Sequence, residues 1–406
     1  MKKYLALAVL GLAVLPSMAQ AQDLPFAVDL YGQLDRQPGN FFFSPYSIKT
    51  ALEMTYIGAR GTTADVMARV LHLHEQYPST PETGLRQAVL DTAKTQLQQQ
   101  LKYPPAGFTL DNANALWGDE GFSFNPGFIS DIQTSFGGDL KPVNFKRPAQ
   151  ASGVINQWVA GHTQNKIQNL MSPDMLQGDP AMVLTNAIYF KASWTETFDP
   201  ALTKQAKFHV SATQDVTADM MNMQDDFSLT QADGVKVLSI PYADGYTSMV
   251  IVLPDDNQGL PAVEAHLTAA KLNTWLADAQ SVPVILSVPK FQVDSQFALK
   301  TVLASLGMNI AFDRKRADFT GIADDPVRRL YVGAVMHKAH IGVDEQGTEA
   351  AAATAVVMMA DAAAPMPGPP PPPPVPFIAD HPFLYLIRSA QTGEILFMGR
   401  VDDPTQ

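Results

Sequence analysis

The chain has 406 residues, no cysteine, and 28 basic against 40 acidic residues, a formal charge of −12. Lacking cysteine, it has neither a disulfide framework nor a thiol nucleophile; its core alone must hold it, and this length is ample for one. The acidic balance argues against nucleic acid as a partner, because that affinity rests on basic contacts to phosphate, and solubility accounts for it otherwise.

Residues 1–21 read as a secretory signal peptide. Lys2 and Lys3 give the positive start, residues 5–15 the apolar stretch, and Ala19-Gln20-Ala21 the small-residue cleavage site. The stretch is too short to span a bilayer, which disfavours a membrane anchor. The mature chain is expected to begin at Gln22, periplasmic or extracellular. Losing Lys2 and Lys3 leaves 26 basic against 40 acidic residues, or −14. Apolar residues at three- and four-residue spacing then predict helices over 48–56, 63–73 and 85–101. Apolar runs at 182–189 and 249–253, among turns such as Asp244-Gly245 and Asp255-Asp256, predict strands. Helical spacing returns at 260–276 and 297–306. Helices first and strands afterwards indicate an α+β fold rather than alternating βαβ units. No fixed-period repeat and no Pro/Gly/Ser-rich break divide the chain before residue 365, so one domain is expected.

A catalytic reading finds little support. No Gly-x-Ser-x-Gly elbow surrounds any serine, and neither a phosphate loop nor a dinucleotide fingerprint is present. His72 and His74 sit at alternate positions at the end of a helical segment and point apart. His337 and His340 lie in a strand-like segment. Neither pair reads as a metal site. No enzyme activity, metal or cofactor is expected.

The most telling stretch is Glu345 to Ala360, EQGTEAAAATAVVMMA. Gly347 is a permissive pivot. In a strand, alternate residues share a face, so Thr348, Ala350, Ala352 and Thr354 line one side and Glu349 points the other way, towards water. All four are small enough to slide between existing strands, as a loop exposed at one time and a buried strand at another. An Ala-rich helix or a flexible linker is the plainer alternative. Residues 365–376 are proline-rich, with six consecutive prolines at 369–374. Proline fixes φ and lacks a donor, so this piece cannot enter a sheet interior and favours an extended polyproline form. It reads as a stiff spacer first and a proline-rich ligand second.

Short motifs in order along the chain carry a resemblance. They include Asn40-Phe41-Phe42-Phe43-Ser44-Pro45-Tyr46-Ser47-Ile48, Asn114-Ala115-Leu116-Trp117 and Ile155-Asn156-Gln157-Trp158-Val159. Thr185-Asn186-Ala187-Ile188-Tyr189-Phe190-Lys191 with Trp194, then Pro289-Lys290-Phe291 and His337-Lys338-Ala339, continue the series. His381-Pro382-Phe383-Leu384-Tyr385 and Ile395-Leu396-Phe397-Met398-Gly399-Arg400 close it. From about Asn40 to Pro404 the chain resembles the serpins, conformational-trap protease inhibitors, and within them the bacterial secreted, inhibitory type.

The resemblance implies one α+β serpin domain over 22–406, with three β-sheets, about nine helices and an exposed reactive-centre loop at 345–376. It implies suicide-substrate inhibition of serine proteases, with cysteine proteases a second class, by loop insertion and covalent trapping. Glu345, Gly347, Thr348, Glu349, Ala350, Ala351, Ala352, Ala353 and Thr354 match the hinge. Counting from Gly347 places the scissile bond at Asp361–Ala362, with Met358, Met359 and Ala360 as alternatives. The bait suits elastase-, subtilisin- or chymotrypsin-like enzymes, held in a covalent complex by a monomeric inhibitor. From Asp361 to Pro382 the chain is about ten residues longer than the family spacing. Ser44, Ser47, Asn186 and His337 match the shutter, a polar cluster beneath the sheet; Ser44 before Pro45 also reads as a helix cap. Trp194, Lys290 and Glu345 match the breach, where the loop first enters. A non-inhibitory serpin acting as a binding protein is the alternative, and a secreted hydrolase a more distant one.

Overall fold

The computed structural model describes residues 23–102, 107–348 and 372–406. Helices α1 (Leu24–Leu34), α2 (Pro45–Ile57), α3 (Gly61–Val70), α4 (Leu73–Gln76) and α5 (Leu85–Lys102) come first. Then come α6 (Pro126–Phe136) and α7 (Pro148–His162), and later α8 (Leu260–Ala265), α9 (Ala269–Ala277) and α10 (Lys300–Leu303). That makes ten among the described residues, against about nine expected. Several starts are written locally. Proline opens α1, α2, α6 and α7, where its missing N–H has no helical acceptor to lose. The Ser44 hydroxyl caps α2 by accepting the Ser47 N–H.

Two helical expectations need correction. The segment 260–276 is not one helix: it breaks between α8 and α9, where Thr268 takes an extended conformation and caps α9 by accepting the Lys271 N–H. A threonine hydroxyl competes well for that role. Helix also does not reach back to residue 297. Phe297 and Ala298 end a strand whose burial alternates strictly, a period of two that wins over the weaker helical spacing.

Strands β1 (Phe41–Phe43), β2 (Phe108–Asp119), β3 (Asp139–Val143), β4 (Met182–Ser193) and β5 (Lys204–Ser211) lead in chain order. They are followed by β6 (Gln214–Ala232), β7 (Val235–Pro241), β8 (Thr247–Pro254), β9 (Gln280–Pro289) and β10 (Phe291–Ala298). The last are β11 (Val332–Asp344), β12 (Gly347–Thr348), β13 (Val375–Ile378), β14 (Phe383–Ser389) and β15 (Ile395–Val401). A six-stranded sheet runs β10-β11-β12-β4-β2-β3. A nine-stranded one runs β1-β15-β14-β8-β7-β6-β9-β13, with β5 added on β6. The three sheets of the expected fold are therefore the six-stranded sheet and two limbs of the other, joined through the 19-residue β6. Its first part pairs with β5 and its last with β7.

Apolar residues separate into layers accordingly. One core, with Leu52, Met54, Leu184, Leu303 and Met398, packs the helices against the sheets. A second, with Phe190, Tyr242, Ile251, Leu286, Ile341 and Tyr385, lies between the two sheets. A third, with Trp117, Ile155, Val159, Val183 and Met336, seats α7 on the outer face of the six-stranded sheet. Strand β4 is buried at ten of its twelve positions, as expected of a strand covered on both faces.

Candidate loop-insertion site

The centre of the six-stranded sheet is a parallel pair. β4 and β11 are matched from Met182 and Val332 up to Tyr189 and His340. Above that level they part, and β12 stands between them. Gly347 pairs with Ser193 and Thr348 with Ala192 on one side, and with Asp344 and Val343 on the other. Both contacts are antiparallel. Gly347 has φ 152°, and a Cβ there would lie 2.1 Å from the Ala192 carbonyl oxygen, so no other residue lets the backbone come this close.

Thr348 corrects an expectation. It is not exposed before insertion: it is fully buried, its Oγ1 2.6 Å from the Tyr242 hydroxyl. The remaining hinge residues Glu349, Ala350, Ala351, Ala352, Ala353 and Thr354 lie outside the described residues. So do Met358, Met359, Ala360, Asp361 and Ala362, and the prolines up to residue 371.

Where β12 enters, the chain is fastened at several atoms. Trp194 Nε1 donates to the Asp344 carbonyl at 2.9 Å, Trp194 N to Gln346 O at 3.0 Å, and Phe198 N to Glu345 O at 2.9 Å. The Trp194 ring stacks on Tyr242 at 4.6 Å. Lys290 Nζ lies 2.9 Å from Glu345 Oε2, and Thr203 Oγ1 donates to Glu345 Oε1 at 2.8 Å. Burial pushes the Glu345 carboxyl up, but the bonds from Lys290 and Thr203 outweigh it and hold the group below its ordinary range. Trp194, Lys290 and Glu345 thus come together where β12 enters. Thr203 was missed, since nothing local distinguishes it. Lys290 is partly exposed, so its pair with Glu345 contributes at most about 1 kcal/mol.

Lower in the sheet, Ser44, Ser47, Asn186 and His337 also meet, all fully buried. The Ser44 N–H donates to His337 Nε2 at 3.1 Å, and its hydroxyl to the Leu396 carbonyl at 2.6 Å. Because a backbone N–H only donates, Nε2 must accept, and the single ring proton sits on Nδ1, donating to Asn186 Oδ1. That bond joins β4 to β11 directly. Asn186 Nδ2 reaches Ser47 Oγ and Asn114 Oδ1, and Ser47 Oγ is 2.6 Å from Asn112 Oδ1. Asn112 and Asn114 were not assigned to this cluster from sequence, although Asn114 stands in one of the quoted motifs. Of the histidines weighed as metal ligands, His72 bonds Asp29 and His340 bonds Asp294, each at 2.8 Å.

Burial pushes His337 down to about 3, with the bond to Asn186 opposing weakly. The folded state thus refuses a proton that the unfolded chain takes below about 6.5. This contribution to stability is full above that pH and is lost on acidification, at up to about 1.4 kcal/mol per pH unit down to about 3. Urea unfolding of the intact protein at pH 6.5, 5.5 and 4.5 checks it. His337→Gln should flatten the acid-side fall by one proton; identical slopes would remove His337 as its source.

A family model described as serpin (serine protease inhibitor) matches residues 21–404. The chain is 34% identical over 390 residues to leukocyte elastase inhibitor A of Rattus norvegicus, covering 93% of this chain and 97% of that one. Among solved structures, Serpin48 of the insect Tenebrio molitor is 31% identical with a TM-score of 0.81, covering 94% and 97% of the two chains. Human thyroxine-binding globulin, solved in complex with thyroxine, is 27% identical with a TM-score of 0.82, covering 96% and 99%. The chain belongs to the serpin family, one of protease inhibitors rather than enzymes.

Proposed function

We propose that the protein is an exported suicide-substrate inhibitor of serine proteases with elastase-, chymotrypsin- or subtilisin-like pockets. The observation that carries this reading is β12, two residues already seated between β4 and β11 in the antiparallel sense that insertion requires. Carried downward on insertion, its register would set Ala350 level with Phe190 and Ile341, Ala352 with Ile188 and Ala339, and Thr354 with Asn186 and His337. That face is buried, first by the inter-sheet core and then by the Asn186–His337 cluster, where only small side chains would fit between packed layers. A protease would attack the loop as a substrate and form its acyl-enzyme. The freed strand of fourteen residues, Thr348 to Asp361, would then carry it about 46 Å.

In this reading Trp194, Lys290, Glu345 and Thr203 fasten the point where the strand enters. Ser44, Ser47, Asn186 and His337 form the latch that must part below it. The signal-peptide pattern of residues 1–21 supports export to the periplasm or beyond, with 22–406 as the mature domain acting as a monomer.

Incubation with representatives of the three protease types, resolved on a denaturing gel, tests this. The expected result is a covalent band at the summed mass, with mass spectrometry placing the new amino terminus at Gln22 and the cut within about two residues of Asp361. Clean cleavage without such a band would instead favour a carrier role, of the kind named for thyroxine-binding globulin. Turnover of a small ester would indicate a hydrolase.

A further inference from the structure

Helix α2, whose first turn holds Ser44 and Ser47, carries a second polar cluster further along. Lys49 is 3% exposed, paired directly with Asp23 at the head of α1, and its Nζ donates to Gln76 Oε1 at 2.8 Å. Glu53, one turn on, lies 3.8 Å from the same ammonium. Glu394, in the turn between β14 and β15, faces this chamber. Its two oxygens accept from Gln96 Nε2 at 2.6 Å and Thr392 Oγ1 at 2.9 Å. The small, partly open cavity between them measures about 20 Å³, room for about one water.

Three carboxyls and one ammonium share this space, so full ionisation would leave two uncompensated negative charges with almost no solvent to screen them. The two glutamates differ in support. Among the described residues, Glu394 has a donor on each oxygen, whereas Glu53 has the distant ammonium already committed to Asp23. Burial pushes Glu53 up to about 7, ahead of the opposing pull of Lys49 and the repulsion of Asp23 and Glu394. Glu394 is raised too, by burial and then by Asp23. The phenol of Tyr77, bonded to Thr92 on α5, is raised by burial and stays neutral. His72, which feels Lys49 weakly, is held by Asp29.

We propose that this chamber is a proton-operated lock on helix α2, closed while Glu53 is protonated and weakened when that proton leaves. Losing the proton places a second unpaired charge beside Glu394 and strains the seat of α2 against α1, α5 and the β14–β15 turn. Because the same helix presents Ser44 and Ser47 to Asn186 and His337, a loosened α2 also loosens the β4–β11 latch. Alkalinisation then shortens the life of the uninserted state. That last consequence rests on the inhibitor reading; the lock itself does not.

Glu53→Gln, which keeps the shape and the neutral state, tests it on the intact protein by fluorescence-monitored urea unfolding from pH 5 to pH 8.5. A group protonated only when folded changes the unfolding constant tenfold per pH unit within its window. The wild-type constant, divided by that of Glu53→Gln, should rise up to tenfold per unit from about pH 4.5 to about pH 7 and level off above. Contributions of His337 and His72 cancel in this ratio. A ratio independent of pH overturns the lock. Should Glu53→Gln not fold, Glu394→Gln carries the same reading, because each acid feels the other's charge. A second arm follows inhibitory capacity on standing at pH 8, where Glu53→Gln should outlast wild type several-fold. Absence of any protease trapping would void that arm and the inhibitor reading, and leave the unfolding ratio to decide on the lock.

Discussion

Cleavage of the loop near Asp361 should raise the melting temperature, by about 10 °C or more. An ordinary nicked loop does the reverse, because a cut frees two ends and adds entropy to the open chain. Here the sheet has a place for the freed strand. The β4–β11 contact is parallel, the slightly weaker form of pairing. Insertion replaces it with two antiparallel ladders that continue those of β12. Continued register would bring Val356 level with Leu184 and Val335 on the buried face, with Met358 one step below. Burying two such side chains contributes about 1.5–3 kcal/mol each. With the added backbone bonds the gain exceeds about 5 kcal/mol, and a chain of this size shifts by roughly 2 °C per kcal/mol. Calorimetry of the intact and the protease-nicked protein reads the outcome. A nicked form melting at or below the intact one would show that the strand does not insert.

The architecture was legible because its signals are local and repeated. Apolar spacing located α2, α3 and α5, and apolar runs located β4 and β8. Short motifs in order along the chain then chose the family that assembles such elements. What stayed hidden depends on distance along the chain or on burial that charge conceals. Thr348 is buried by a hydroxyl 106 positions away, on Tyr242, and by the close pass of Gly347 over Ala192; neither is visible from a small-residue pattern. Nothing in the letters assigns Asn112 and Asn114 to the latch until β2 is placed beside β4. Lys49 and Glu53, an i,i+4 pair of opposite charge, have the spacing of a solvent-facing helix surface, yet they line a small chamber against α1 and the β14–β15 turn. Thr268 and Phe297 were misread for a simpler reason, since a cap and a strand end interrupt an apolar period that runs on in the letters alone.

Thr348→Arg should turn the protein from inhibitor into substrate, with the covalent band reduced more than tenfold while the rate of loop cleavage is kept. Because Thr348 already occupies the sheet, the substitution acts before any protease arrives. A guanidinium at that position would be buried against Tyr242 and Ala192, a cost of several kcal/mol. β12 should therefore leave its slot in the uncleaved protein. Its departure takes away the partner of the Tyr242 hydroxyl, and a buried donor left unmet costs about 1–3 kcal/mol. Trp194 stacks on that same ring, so the tryptophan emission of the uncleaved variant should change as well. Two milder substitutions separate charge from contact. Thr348→Ser keeps the hydroxyl and should inhibit nearly as wild type. Thr348→Val keeps the volume, loses the bond to Tyr242, and should lower complex yield only a few-fold. If Thr348→Arg traps protease as efficiently as wild type, the strand does not enter through the slot that β12 holds, and the insertion reading fails at its first residue.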